Sequence, residues 1–219
     1  MLSDLEVDSG CAYIFQNSND SWSQVSKILP DDPARNAYFG SDVAISSNYA
    51  IVGAEHAIDA NGINIGAVYV FKRNNATWTQ IQKITRSFNQ VNVSFGQSIS
   101  LSGDKIAIAA PKLESFMTQD AGAVFVYQLI NDTFIPISQY YPTLFLDGYN
   151  RFGYDLDLHG NDLIIGNGGA SIDAYNSGEA YICNVSTPHL DVSDMNSYQS
   201  PVSMTITSET DGNVTVLLF

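Results

Sequence analysis

An all-β chain of four-stranded, β-propeller-type blades is predicted by three residue series that share one period. Gly10-Cys11-Ala12-Tyr13-Ile14-Phe15, Gly66-Ala67-Val68-Tyr69-Val70-Phe71, Gly122-Ala123-Val124-Phe125-Val126-Tyr127 and Gly178-Glu179-Ala180-Tyr181-Ile182-Cys183 set their leading glycines 56 residues apart three times running. Phe39-Gly40, Phe95-Gly96 and Phe152-Gly153 follow at 56 and 57 residues, and Trp22, Trp78 and Phe134 at 56 and 56. A fixed period of this kind marks units that cannot bury their apolar faces alone and so stack on one another.

Each unit reads as four strands. The first follows the Phe-Gly pair, as in Asp42 to Ser46, and the second is Tyr49 to Ala54. The third starts at the Gly-Ala pair, Gly66 to Lys72, and the fourth holds the aromatic, Thr77 to Ile84. All have ordinary strand length and are rich in Val, Ile and Tyr. Turn residues separate them: Ser47-Asn48, Gly103-Asp104 and Gly160-Asn161 between first and second strands, Asn74-Asn75 and Asn131-Asp132 between third and fourth. The second and third strands are nearly continuous apolar runs, the pattern of burial on both faces. A lone sheet would leave one such face in water, whereas radial repetition covers both and leaves only short edges.

From these markers, residues 1-30 hold the third and fourth strands of a first repeat, 31-86 a second repeat, 87-142 a third, and 143-186 three strands of a fourth. Residues 187-219 form a divergent tail. Within it, Val202 to Thr207 and Asn213 to Phe219 read as a hairpin about Asp211-Gly212, placed to complete the last blade. The sum is about three and a half repeats, where propellers close with about four blades or more. Three arrangements fit: a piece of a longer multi-blade protein, a ring completed by self-association, or an open stack capped by the tail.

Composition narrows the function classes. With 45 % hydrophobic and 15 % charged residues, the chain is globular rather than disordered. Nine Lys and Arg against 23 Asp and Glu give a formal charge of −14. Such a surface repels phosphate backbones and anionic membranes, so neither nucleic acid nor a membrane surface is an expected partner. Cys11 and Cys183 are too few for a disulfide framework or a zinc site; both fall in expected strands and read as free thiols. The opening Met1-Leu2-Ser3-Asp4-Leu5-Glu6 has neither the basic nor the apolar region of a signal peptide, and no apolar run reaches membrane-spanning length.

The Phe-Gly pair, Ile51-Val52-Gly53-Ala54, Gly66 to Phe71 and Trp78 together resemble the FG-GAP repeat. Similar repeats form the propeller head of integrin alpha chains, and the plainer repeats of many surface and secreted proteins look closest. The resemblance spans roughly residues 9 to 185. It implies a binding or adhesion module outside the cell, with its export signal in a missing N-terminal part. Integrin-type repeats often carry an Asp-rich calcium loop between first and second strands, and calcium needs a loop long enough to wrap it. The equivalent junctions here are two-residue turns. Asp155 to Asp162 looks like a relic of that loop, but alternation sets Asp155 and Asp157 on one strand face rather than around an ion. No metal or cofactor is expected.

No residue set points to catalysis. His56, His159 and His189 lack metal-ligand spacing, with His56 in a loop and His159 in a turn. Gly166-Asn167-Gly168-Gly169 follows a strand and leads to another, so it is a connection rather than a phosphate-binding loop. Recognition is expected instead on the long connections between second and third strands, joined by those between repeats, which emerge on one rim. Asp31, Asp32, Glu55, Asp59, Asn61, Glu114, Asp120, Asp147 and Asp173 make that rim acidic, with Asp59-Ala60-Asn61-Gly62 its best cation contact. The resemblance makes this rim the ligand-binding face. Six Asn-x-Ser/Thr sequons, at Asn19, Asn75, Asn92, Asn131, Asn184 and Asn213, are candidate glycosylation sites. The sequence thus predicts a noncatalytic module for protein or glycan binding. A propeller hydrolase or lyase, and an architectural fragment needing further blades, are the alternatives.

Overall fold

The computed structural model describes residues 8–87, 90–115, 119–142, 150–170 and 177–186. The expected tail hairpin, with His189, Asp147, Asp173 and Asn213, lies outside them. All regular structure in the described residues is β. The first sheet pairs β1 (Ala12–Ser18) with β2 (Ser21–Ile28). The second is β3 (Phe39–Ile45), β4 (Tyr49–Ala54), β5 (Ala67–Asn74) and β6 (Thr77–Ile84), and the third is β7 (Ile99–Ser102), β8 (Lys105–Ala110), β9 (Ala123–Ile130) and β10 (Thr133–Tyr140). The fourth holds β11 (Leu156–His159), β12 (Asp162–Asn167) and β13 (Glu179–Asn184). Each sheet is antiparallel with its strands in chain order, the arrangement of propeller-type blades.

Stacking of the sheets follows from strand alternation. Tyr69 and Phe71 of β5 face back to the first sheet, joining Ala12, Ile14 and Phe39 in one core. Val68 and Val70, one residue out of phase, face forward and meet Phe95, Phe125 and Tyr127 in a second. Val124 and Val126 of β9 then meet Phe152, Leu163 and Ile165 in a third. Both faces of β4, β5, β8 and β9 are used, as their unbroken apolar runs require.

The Gly-Ala and Phe-Gly series turn out to be two halves of one joint. Gly10, Gly66 and Gly122 form parallel bridges to Phe39, Phe95 and Phe152 of the next repeat. Those three phenylalanine N–H groups donate to the carbonyls of Ser9, Ile65 and Ala121 at 2.9, 3.3 and 3.1 Å. A Cβ on Gly66 would stand 2.7 Å from Phe95 N and closer still to its carbonyl oxygen, and the φ of +82° is one that L residues rarely adopt. The residue before each phenylalanine, Tyr38, Ser94 or Arg151, is held at φ 55° although none is glycine.

Side chains fasten the edges between sheets. Gln82 both donates to Phe134 O (3.0 Å) and accepts from Phe134 N (2.8 Å), satisfying the free edge of β10. On the innermost strands, Ile99 N donates to Asp42 Oδ2 at 2.7 Å, and Ser100 Oγ donates to Asp157 Oδ1 at 2.9 Å. Burial raises the Asp42 pKa, with the neighbouring Asp155 charge adding to it and the Ile99 and Val43 N–H groups working against it.

Four expectations need adjustment. The first strand of the second sheet starts at Phe39 rather than Asp42, because the Phe-Gly pair itself reaches Ala54 before the ladder shifts and resumes at Val43. Three residues rather than two separate β3 from β4, closed by Ser46 N donating to Tyr49 O. His159 ends β11 instead of lying in a turn. Cys183 lies in β13, but Cys11 stands one residue before β1; both are free and half-buried.

Candidate functional site

The antiparallel order sends every long connection to one end of its sheet. Residues 29–38, 55–66, 85–98 and 111–122 all leave and re-enter there, whereas among the described residues the opposite end carries only tight turns. The loops form one surface because the joint glycines and phenylalanines begin within it and hold successive sheets together.

Within that surface Asp32 pairs with the Lys83 ammonium. Lys83 sits at the end of β6, opposite Tyr69 on β5. Its Nζ donates to Asp32 Oδ2 at 2.6 Å and lies 3.5 Å from the Ile58 carbonyl, 5.3 Å from the Tyr69 ring centroid. Asp59 feels the same positive charge. Burial, reinforced by the Asp32 carboxylate, pushes the Tyr69 pKa well above its ordinary value.

Asp59 also orders its own loop. Its Oδ1 accepts from Asn61 N (2.8 Å) and Ile63 N (2.9 Å), and Oδ2 accepts from Asn61 Nδ2 (3.3 Å). These bonds, Ile63 first, hold its carboxyl below the usual range. Asp59-Ala60-Asn61-Gly62 is therefore an Asx-type turn in which the carboxylate takes N–H groups from the backbone. Asp31 stands beside this group, its N–H donating to Gln80 Oε1 at 3.0 Å. Glu55 is half-buried at the head of the loop, next to His56, whose ring lies 4.8 Å from that of Tyr38.

The other candidates occupy later junctions. Glu114 exchanges two bonds with Gln90, its N donating to Oε1 (2.7 Å) and its O accepting from Nε2 (2.9 Å). Both pin the loop backbone and leave the Glu114 carboxylate out of the exchange. Asp120 holds a left-handed φ of 50°, and its carbonyl accepts from Arg151 N at 2.7 Å. Arg86 packs over Phe125 at 4.2 Å and donates to Gln139 Oε1 at 3.3 Å. The rim thus interleaves carboxylates with Lys83, Arg86 and Arg151.

Sequence reasoning missed Lys83 and Gln90. For Lys83 a signal existed: it precedes the last apolar residue of the fourth strand, so alternation sets it beside the inter-repeat acids. Another departure sits in the fourth repeat. Where the second and third sheets pair Ala54 with Ala67 and Ala110 with Ala123, the fourth pairs Asn167 with Glu179. Asn167 is buried with both side-chain polar atoms unpartnered, and Glu179 Oε2 is buried likewise.

Three of the sequons share one structural position. Asn19, Asn75 and Asn131 are spaced 56 residues apart. Each opens the turn between third and fourth strands, exposed, at φ 52°, 55° and 50°. Asn92 is exposed in the loop before Phe95, but the hydroxyl-bearing Ser94 of its sequon is fully buried. Asn184 ends β13, its Nδ2 donating to Asp162 Oδ1 at 3.1 Å. Among the described residues, no three His, Cys, Asp or Glu side chains converge as a metal site would need.

Two stretches, residues 22–71 and 78–127, match the family model described as the FG-GAP repeat. Each match runs from the fourth-strand tryptophan of one sheet to the third-strand aromatic of the next, so it spans the joint between sheets. No curated protein sequence matches the chain significantly.

Proposed function

The chain carries FG-GAP repeats, and from that premise we propose that it is a noncatalytic binding module of a surface or secreted protein. One observation carries the reading: the long connections between the described strands gather at one end of the sheet stack. A stiff scaffold that presents variable loops on one face is a general solution for recognition. The ligand is a protein or a glycan, met by Asp31, Asp32, Glu55, Asp59, Asn61, Glu114 and Asp120 together with the basic side chains between them. N-glycans at Asn19, Asn75 and Asn131 would project from the opposite, turn-bearing end and leave the loop face clear. The formal charge of −14 favours partners with basic or neutral surfaces.

The test is a glycan and protein array probed with the intact chain and with a variant carrying Asp32→Asn, Asp59→Asn and Glu114→Gln. Loss of the principal signals in the variant supports the reading. Signals that survive unchanged move recognition away from the loop face and refute it.

A further inference from the structure

Repeat symmetry makes the two outer faces of the sheet stack comparable with faces already packed inside it. Tyr13 and Phe15 of the first sheet are 48 % and 53 % exposed, whereas their counterparts Tyr69 and Phe71 in the second are 2 % and 3 %. Trp22, on the same outer face, is 69 % exposed. At the other end, Ile164 and Ile182 of the fourth sheet are 47 % and 80 % exposed, while Ala107 and Val126, which hold those positions in the third, are fully buried. One end therefore presents the aromatic half of an inter-sheet contact, and the other presents the aliphatic half.

We propose that these two faces bind each other between two copies of this chain, head to tail. Tyr13, Phe15 and Trp22 of one copy pack on Ile164 and Ile182 of a second. Inside the chain the same pairing occurs twice: Tyr69 and Phe71 pack on the first sheet with Ile14, and Phe125 and Tyr127 on the second with Ile51, Val68 and Val70. Two clefts on the fourth sheet share Asp157 and Ile164, one also lined by Ile182, the other by Gly166 and Ala180. Small residues there admit large rings, as Ala107 and Ala109 admit Phe152 in the core between third and fourth sheets. Exposed apolar patches of this kind mark contact surfaces. Unlike faces meeting give a heterologous contact, which closes on itself with a second copy or runs on into longer assemblies.

Two single-ended variants test this: Ile182→Asp, blocked at its aliphatic end, and Tyr13→Ser with Phe15→Ser, blocked at its aromatic end. All these positions are exposed, and retained far-ultraviolet spectra and melting temperatures check folding. Sedimentation at micromolar concentrations is expected to give the native chain at twice the monomer mass or more. Each variant alone is expected to be monomeric, and an equimolar mixture to recover a two-chain species through the one intact pair of faces. A native chain that stays monomeric overturns the proposal. So does a mixture that stays monomeric, or a native oligomer that only one of the variants disrupts, since that would mean like faces meeting.

Discussion

Replacing Gly66 by alanine probes the joint that links one repeat to the next. Two costs are expected to add. A left-handed φ costs an L residue about 1–2 kcal/mol, and Gly66 is held at +82°. The new methyl would also press on the Phe95 backbone, 2.7 Å from its N and 2.9 Å from its carbonyl carbon. Neither atom can rotate away, so the third sheet must shift against the second, an overpacking cost of about 1–3 kcal/mol. Gly66→Ala should therefore lose about 2–5 kcal/mol. Gly62 supplies the control: its φ is +76°, but nothing lies within 4 Å of where its Cβ would be. Gly62→Ala should lose only the conformational part, about 1–2 kcal/mol. Gly103, at +60° and equally open, is a second control. Urea unfolding at constant slope reads the difference. Equal losses in Gly66→Ala and Gly62→Ala would show that the close approach to Phe95 contributes nothing, and the account of the joint would fail.

Other expectations follow from the same packing. Phe95→Ala should cost about 3–5 kcal/mol by calorimetry or denaturant, because a fully buried ring would leave a void between second and third sheets. Gln82→Ala should cost about 1–3 kcal/mol, since it strips both bonds from the Phe134 edge; Gln82→Met, which keeps volume, should cost nearly as much if the bonds rather than the stem matter. Lys83→Met should cost less than about 1 kcal/mol, as a half-exposed ion pair does, and the loss should shrink in high salt. The Tyr69 pKa is raised in the folded state, so its contribution is complete below the ordinary tyrosine pKa and lost as pH rises through the folded one. Melting temperature should fall steeply above about pH 10, and less steeply in Tyr69→Phe.

Much of this was legible in the order of residues alone. The period shared by glycine, Phe-Gly and tryptophan positions determined that the chain folds as repeated four-stranded units, because three unrelated positions keep one spacing only when each has one structural role. The limits of β4 and β6 could be read to the residue, since an apolar run in one and an alternating run in the other mark their extent and turn-forming Asn48 and Asn75 stand just before them. Exit of all the long loops at one end also follows from counting antiparallel strands. Tertiary structure decided what those positions do to one another. Gly66 and Phe95 lie 29 residues apart and gain their meaning only where two sheets meet. The bulges that skip Val25, Ile81 and Ile137 recur at one place in three repeats, yet no local residue pattern announces them, because they answer to the twist of the packed sheets. The acids of the rim were visible as composition, but Lys83 stands among them by strand register, and charge balance is a property of distance rather than of sequence.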